Sequence, residues 1–234
     1  MYQGTICWVE GDSLRLIQCA PTAVDTSQVT LVASQTNDEL MDYAFDVALD
    51  DTYLYWSNSQ QNMVVRRTFD GGPSSQYFSG GGQISYIVLG GTTVWATDYV
   101  AGADSGNIIM GPVGTSSLNV YPGETQAAGV GVYGGSVYWG RALPSSVSSG
   151  PESGNALITR VSTTARVTGL AVDASGTTYF LAGNQQVFRL PLGASTPELL
   201  YDEGSSFGDS DLALDDNAIY WSEHDLGRIM RMPK

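Results

Sequence analysis

Six copies of one strand-rich module, 40 to 48 residues apart, predict an all-β chain. The expected fold is a six-bladed β-propeller of four-stranded antiparallel blades. Three observations carry this. A short apolar run, a polar or glycine turn and a β-branched, aromatic run recur in the same order. A third and a fourth strand-like run close most copies. No helix is predicted.

The copies align on Trp8, Trp56, Ala96, Trp139, Phe180 and Trp221. Asp46-Val-Ala-Leu-Asp-Asp-Thr-Tyr-Leu-Tyr-Trp56 and Asp211-Leu-Ala-Leu-Asp-Asp-Asn-Ala-Ile-Tyr-Trp221 match almost letter for letter. In each, Val47–Leu49 or Leu212–Leu214 reads as an inner strand. Asp50-Asp51, or Gly134-Gly135 in the fourth copy, supplies hairpin chemistry. Tyr53–Trp56 then reads as a second strand. Third strands are expected at Met63–Arg66, Ile108–Met110, Leu157–Arg160 and Val187–Leu190, and fourth strands at Ser75–Phe78 and Glu198–Tyr201.

The Tyr-Trp-Ser-Asn58 and Tyr-Trp-Ser-Glu223 tetrads, each after an apolar-Ala-apolar-Asp strand, resemble the YWTD (LDL-receptor class B) repeat. The ending Ile-Met-Arg-Met-Pro233 is similar to related repeats of secreted or lipid-anchored bacterial proteins. The resemblance spans nearly the whole chain and implies six blades. It departs at the fourth tetrad position, which holds Glu10, Asn58, Asp98, Arg141, Ala182 and Glu223, so the Asp of the motif is kept only at Asp98.

Blades are expected over residues 1–40, 41–82, 83–126, 127–168, 169–208 and 209–234, all in one domain. The first lacks an inner strand and the last lacks a fourth, so both are incomplete. A bare sheet edge at either is an aggregation liability. The longest loop expected is Ala142–Asn155, a Ser/Gly/Pro-rich excursion between the second and third strands of the fourth blade. Tyr99–Gly106 is its shorter counterpart in the third.

The formal charge is −14, with 10 Lys and Arg against 24 Asp and Glu. Nucleic-acid binding needs a basic face, which this composition cannot build. No apolar stretch approaches the roughly 18 residues a membrane-spanning helix requires. No signal peptide opens this chain, yet the resemblance and the cysteines point to a secreted or cell-envelope parent protein. Cys7 and Cys19 flank the first hairpin; they form a disulfide if the connecting loop holds an odd number of residues, and are otherwise two free thiols.

Catalytic chemistry finds few carriers. The only histidine, His224, lies beside Asp225 in a loop after Trp221, without the orienting partners a nucleophilic triad needs. The recurrent Arg66, Arg160, Arg189 and Arg231 are expected to cover a Tyr or Trp of the neighbouring strand. The most suggestive set is acidic. Asp46 and Asp211 precede inner strands at the same repeat position, with Asp42 and Asp209 near them. At a channel mouth Asp46 and Asp211 are candidate ligands of a hard cation such as Ca²⁺, which takes six to eight oxygens; equally, they are strand-entry residues with a structural part.

The reading that follows is a non-enzymatic binding or scaffold module without a resident cofactor. It would hold a protein, peptide or glycan at the channel mouth or on a loop face. The alternatives are a metal-dependent, lactonase-like hydrolase or lyase with an axial divalent cation, and a purely structural propeller. Fold alone does not choose among these.

Overall fold

The computed structural model describes residues 5–10, 16–21, 30–34, 39–41, 43–100, 105–111, 117–183, 186–202, 204, 211–223 and 226–234. It is all-β, with six antiparallel blades in a propeller arrangement. Blade one holds β1 (Thr5–Glu10), β2 (Leu16–Pro21) and β3 (Thr30–Ser34). Blade two holds β4 (Ala44–Leu49), β5 (Tyr53–Asn58), β6 (Met63–Thr68) and β7 (Ser75–Ser79). Blade three holds β8 (Gln83–Gly90), β9 (Thr93–Val100), β10 (Ser105–Gly111) and β11 (Leu118–Glu124). Blade four holds β12 (Ala128–Tyr133), β13 (Ser136–Ala142), β14 (Ser145–Pro151) and β15 (Ile158–Ser162). Blade five holds β16 (Val167–Val172), β17 (Thr178–Ala182), β18 (Gln186–Leu190) and β19 (Glu198–Asp202). Blade six holds β20 (Leu212–Leu214), β21 (Ala218–Glu223) and β22 (Arg228–Pro233). The first and last sheets have three strands each and the other four have four, as the repeat pattern predicts.

The chain groups into two compact units. Residues 1–102 with 109–119 form one, and residues 103–108 with 120–234 form the other. In the first, Ile17, Ala33, Met41, Leu54, Trp56 and Val65 pack between blades one and two. In the second, Leu181, Val187, Leu212, Ile219 and Trp221 pack between blades five and six. Trp56, Trp95 and Trp139 are fully buried. Each buried tryptophan removes roughly 150–250 Å² from water, worth about 4–6 kcal/mol at about 25 cal/mol per Å². The tetrad aromatics are packing residues first.

The inner hairpins follow their turn chemistry. Tyr133 pairs with Ser136 across Gly134-Gly135. Both glycines have φ near +60° to +70°, the left-handed values a type I′ turn demands. In blade two the turn falls one residue later than expected. Asp50 N–H donates to Tyr53 O, so Asp51-Thr52 are the central pair.

One expected loop is a strand. Residues 145–151 form β14, the third strand of blade four, and Ile158–Ser162 is the outer strand, not the third. The Ser/Gly composition is that of a tightly covered strand. Ser146, Ser148 and Ser149 are buried. A Cβ on Gly150 would lie 2.1 Å from the Tyr121 hydroxyl. Small residues stand here because Tyr121, on the outer strand of blade three, presses onto the sheet. Arg160 therefore belongs to an outer strand, although it still lies 6.0 Å from the Tyr138 ring centroid. In blade three β9 runs through Tyr99 and Val100 and β10 starts at Ser105, shortening the loop expected there.

Among the described residues no helix is long and apolar enough to cross a membrane. Glu10 pairs with Leu16 across residues 11–15, an odd-length connection, and this register sets Cys7 opposite Cys19. Their Cα atoms are 4.1 Å apart and their sulfurs are bonded.

Candidate functional site

Asp46 sits at the bulge of the inner strand of blade two, where the β4–β5 register shifts between Ala44 and Val47. A bulge leaves ladder groups without their cross-strand partners, so they must bond elsewhere. Asp46 N–H donates to Ser57 Oγ at 3.0 Å. Its Oδ1 accepts from Val47 N–H at 2.6 Å. Its Oδ2 accepts from Ile87 N–H of blade three at 2.7 Å. Ser57 in turn donates to Ser85 O at 2.6 Å. Asp46 on the inner strand and Ser57 on the second strand of blade two thus form a two-point clip onto the inner strand of blade three. Both carboxylate oxygens are committed to backbone donors.

The bond from a backbone N–H to the third tetrad hydroxyl recurs in two further blades. In blade three Tyr86 N–H donates to Thr97 Oγ1 at 3.1 Å. In blade six Asp211 N–H donates to Ser222 Oγ at 3.1 Å, and Ser222 N–H donates back to Asp211 O at 3.2 Å. The acceptor is the third tetrad residue each time. In blades two and three that hydroxyl serves the N–H of a bulged inner strand. Asp46 and Asp211 keep the same repeat position and belong to different compact units. Asp42, Asp209 and His224 lie outside the described residues. No group of three or more His, Cys, Asp or Glu suited to a metal ion occurs among the described residues.

In blades two, three and four the fourth tetrad residue reaches the segment that enters its own blade. Asn58 Nδ2 and Trp56 Nε1 both donate to Leu40 O, at 3.1 and 2.9 Å. Asp98 Oδ1 accepts from Gly82 N–H at 2.7 Å. Blade four reverses the charge. Arg141 stands in the acidic place and Glu124, on the entering segment, answers it at 3.0 Å while accepting from Trp139 Nε1 at 2.8 Å. Glu223 is buried and pairs with Arg228. At Asn58, Asp98 and Arg141 the partner lies on the entering segment, whereas Glu223 finds its own on β22.

A second recurrent unit was missed by sequence reasoning. Asp50 Oδ1 accepts from Thr52 N–H and Tyr53 N–H at 2.8 and 2.7 Å, and its Oδ2 accepts from Tyr55 OH at 3.0 Å. Asp215 does the same with Asn217, Ala218 and Tyr220. The Asp-x4-Tyr spacing, shared by Asp50/Tyr55 and Asp215/Tyr220, was the available signal. Burial, then the bond to Asp50, pushes the Tyr55 hydroxyl above its ordinary range. At Asp215 burial opposes ionisation, but the N–H groups of Asn217 and Ala218 and the Tyr220 hydroxyl outweigh it, holding the carboxyl below its ordinary value.

The arginines behave largely as expected. Arg66 lies 4.6 Å from the Tyr53 ring centroid and Arg231 5.8 Å from that of Tyr220. Arg189 instead reaches Glu198 on the outer strand at 2.6 Å. Blade five also carries an open cleft of about 380 Å³ lined by Ala165, Gly183, Gln186, Asp202 and Gly204. Its polar groups are partly used up, since Gln186 Nε2 donates to Asp202 Oδ2 at 2.8 Å.

No protein-family model matches the chain. No curated protein matches it either. Solved structures do. The chain is similar to a chain of the nidogen/laminin complex, with 16% identity and a TM-score of 0.82 over 98% of this chain and 89% of that one. It is also similar to regucalcin, a calcium-binding protein from Agrobacterium tumefaciens, with 12% identity and a TM-score of 0.69 over 93% of this chain and 77% of that one. At these identities the likeness is one of fold, and the fold is a six-bladed β-propeller.

Proposed function

We propose that this chain is a non-enzymatic extracellular or cell-envelope binding module that holds a protein, peptide or glycan on a loop-bearing face. One observation carries the choice over a metal-dependent enzyme. Asp46, the most suggestive cation ligand in the sequence, spends both carboxylate oxygens on backbone N–H groups. Two further facts support it. The first hairpin carries a disulfide, which suits an oxidising compartment. The nidogen propeller it resembles was solved in complex with laminin.

The reading is tested by following thermal unfolding in EDTA and then with Ca²⁺, Mg²⁺ or Zn²⁺. The expected result is an unchanged midpoint with every ion, followed by saturable binding in glycan or peptide panels. A ligand bound only by the folded state stabilises it by about 2.7 kcal/mol at a hundredfold excess over Kd. An ion-specific rise of that order would move the assignment to the axial-cation hydrolase or lyase.

A further inference from the structure

Three arginines share one place in the repeat. Arg66 stands opposite Tyr55, Arg189 opposite Tyr179 and Arg231 opposite Tyr220. Two of them are partnered inside the chain. Arg189 lies opposite Glu198 of the outer strand and pairs with it at 2.6 Å. Arg231 donates through Nε to Tyr220 OH at 3.1 Å. In blade two the outer strand sets Ser75, which has no carboxylate, opposite Arg66. Asp50, the acid of the same blade's inner hairpin, is committed to the Thr52 and Tyr53 N–H groups and to Tyr55 OH. Among the described residues the Arg66 side chain makes ring contacts but no hydrogen bond or ion pair.

Arg66 is nonetheless held in place. Its Cζ lies 4.6 Å from the Tyr53 ring centroid and 5.3 Å from that of the buried Tyr77. Contact with ring faces fixes the plane of a guanidinium and leaves its donor edge for a ligand. None of its nitrogens is both buried and unpaired, in contrast to Arg67 Nε, so they stay within reach. The surroundings are polar and aromatic. Ser75 and Thr92 are exposed. Tyr77 OH donates to Thr92 O at 3.2 Å, which brings the inner turn of blade three to this place. Phe69 is 42% exposed at the same end of blade two, where its N–H donates to Thr52 O at 3.4 Å.

We propose that Arg66 is the carboxylate-binding residue of a glycan site, and that the group it takes is a uronic acid unit. The carboxylate would meet the guanidinium as Glu198 meets Arg189 in blade five, which is the chain's own pattern for the contact. Ser75 and Thr92 offer hydroxyls to the hydroxyls of the sugar, and Phe69 an aromatic surface to its C–H face. Asp51 and Asp70 are exposed at the two turns of this blade end. They disfavour a run of negative charges, so the uronic acid is flanked by neutral sugars. A peptide of clustered acids is disfavoured for the same reason.

The site rests on the binding-module reading and names a glycan class for it. The probe is a fluorescein-labelled trisaccharide ending in one glucuronic acid, titrated with the full chain at low salt and followed by anisotropy. Saturable binding is expected, weakened about tenfold or more when the carboxyl is reduced to give the neutral sugar, and equally by Arg66→Ala. Arg66→Lys should recover only part of it, because an ammonium lacks the planar fork. Ser75→Glu supplies the carboxylate from within, as Glu198 does, and should also weaken binding about tenfold with the thermal midpoint retained. Arg160→Ala, in blade four, should change little. Absence of saturable binding overturns the proposal. So does equal binding of the neutral sugar, or binding that survives both Arg66→Ala and Ser75→Glu. Arg66-dependent binding of a single-glutamate peptide, tighter than that of the trisaccharide, overturns it in favour of a peptide. If the acidic probe fails while other glycan or peptide panels score, the Arg66 assignment falls and the binding-module reading stands. If the probe binds through Arg66 while an ion-specific rise in midpoint points to a cation enzyme, the site stands and the binding-module reading falls.

Discussion

The Oδ2 atom of Asp46 accepts a hydrogen bond from the backbone N–H of Ile87, 41 residues further on, at 2.7 Å. This ties the inner strand of blade two to that of blade three. Asp46→Ala would leave the Ile87 N–H without an acceptor in a buried place, at a cost of about 1–3 kcal/mol. Asp46→Asn keeps one oxygen and should cost less. Urea denaturation of the two variants checks the order. Asp46→Asn and Asp211→Asn should both leave divalent-ion titrations unchanged.

The disulfide can be tested separately. Cys7 and Cys19 are 12 residues apart in sequence. Closing a loop of that size restricts the unfolded chain by about 3 kcal/mol on the entropy model. The Cys7→Ser, Cys19→Ser double variant should lose stability of that order. In a reducing buffer the wild type should fall to match it, while the variant stays unmoved.

Much of this architecture was legible in the residues. Blade number, the inner hairpins and the three-stranded first and last blades follow from a repeat whose apolar and turn positions recur in register. What stayed hidden depended on tertiary contact. The run at 145–151 carries the composition of a loop, and only the pressure of Tyr121 on Gly150 makes small residues the right ones for a strand. The role of Asp46 was hidden for a related reason. An acid before an inner strand looks alike whether it faces a cation or the N–H of a neighbouring blade. The hydroxyl at the third tetrad position was visible at Ser57, Thr97 and Ser222, but its meaning depends on the backbone N–H it meets.

Overpacking should be severe where outer aromatics meet glycine. A Cβ at residue 150 would lie 2.1 Å from the Tyr121 hydroxyl, and one at residue 111 would lie 2.1 Å from Phe78 Cδ1. Gly150→Ala and Gly111→Ala should each cost about 1–3 kcal/mol. Combining Gly150→Ala with Tyr121→Phe should recover part of the loss, because the clashing hydroxyl is removed. A double-mutant cycle by urea denaturation measures that coupling.

Stability should fall at both ends of the pH scale. Asp173 and Asp215 are held below the ordinary 3.8. Each opposes its own burial, Asp173 with the Ser175 hydroxyl first and Asp215 with the Asn217 N–H first. Their contribution is present above 3.8 and is lost as pH drops through the folded values. Tyr55, Tyr77 and Tyr179 are raised above the ordinary 10.0, chiefly by burial. Above 10.0 the unfolded chain releases protons that the native state retains, so stability declines there. A thermal-midpoint profile should be flat between these limits. Asp215→Asn should flatten its acid limb and Tyr55→Phe its alkaline limb.

The three third-position hydroxyls that accept from a backbone N–H should rank by what each leaves unpaired. Ser57 accepts from Asp46 N–H and donates to Ser85 O in the next blade. Ser57→Ala removes both bonds, the first of them buried, and should cost about 2–3 kcal/mol. Thr97 accepts from the buried Tyr86 N–H. Thr97→Val preserves shape and removes only the hydroxyl, for about 1–2 kcal/mol. Ser222 meets a half-buried Asp211 N–H, which water can reach, so Ser222→Ala should cost about 1 kcal/mol or less. Urea midpoints of the three variants should fall in that order. If Ser57→Ala proved no worse than Ser222→Ala, the Ser57–Ser85 bond would not be holding blades two and three together.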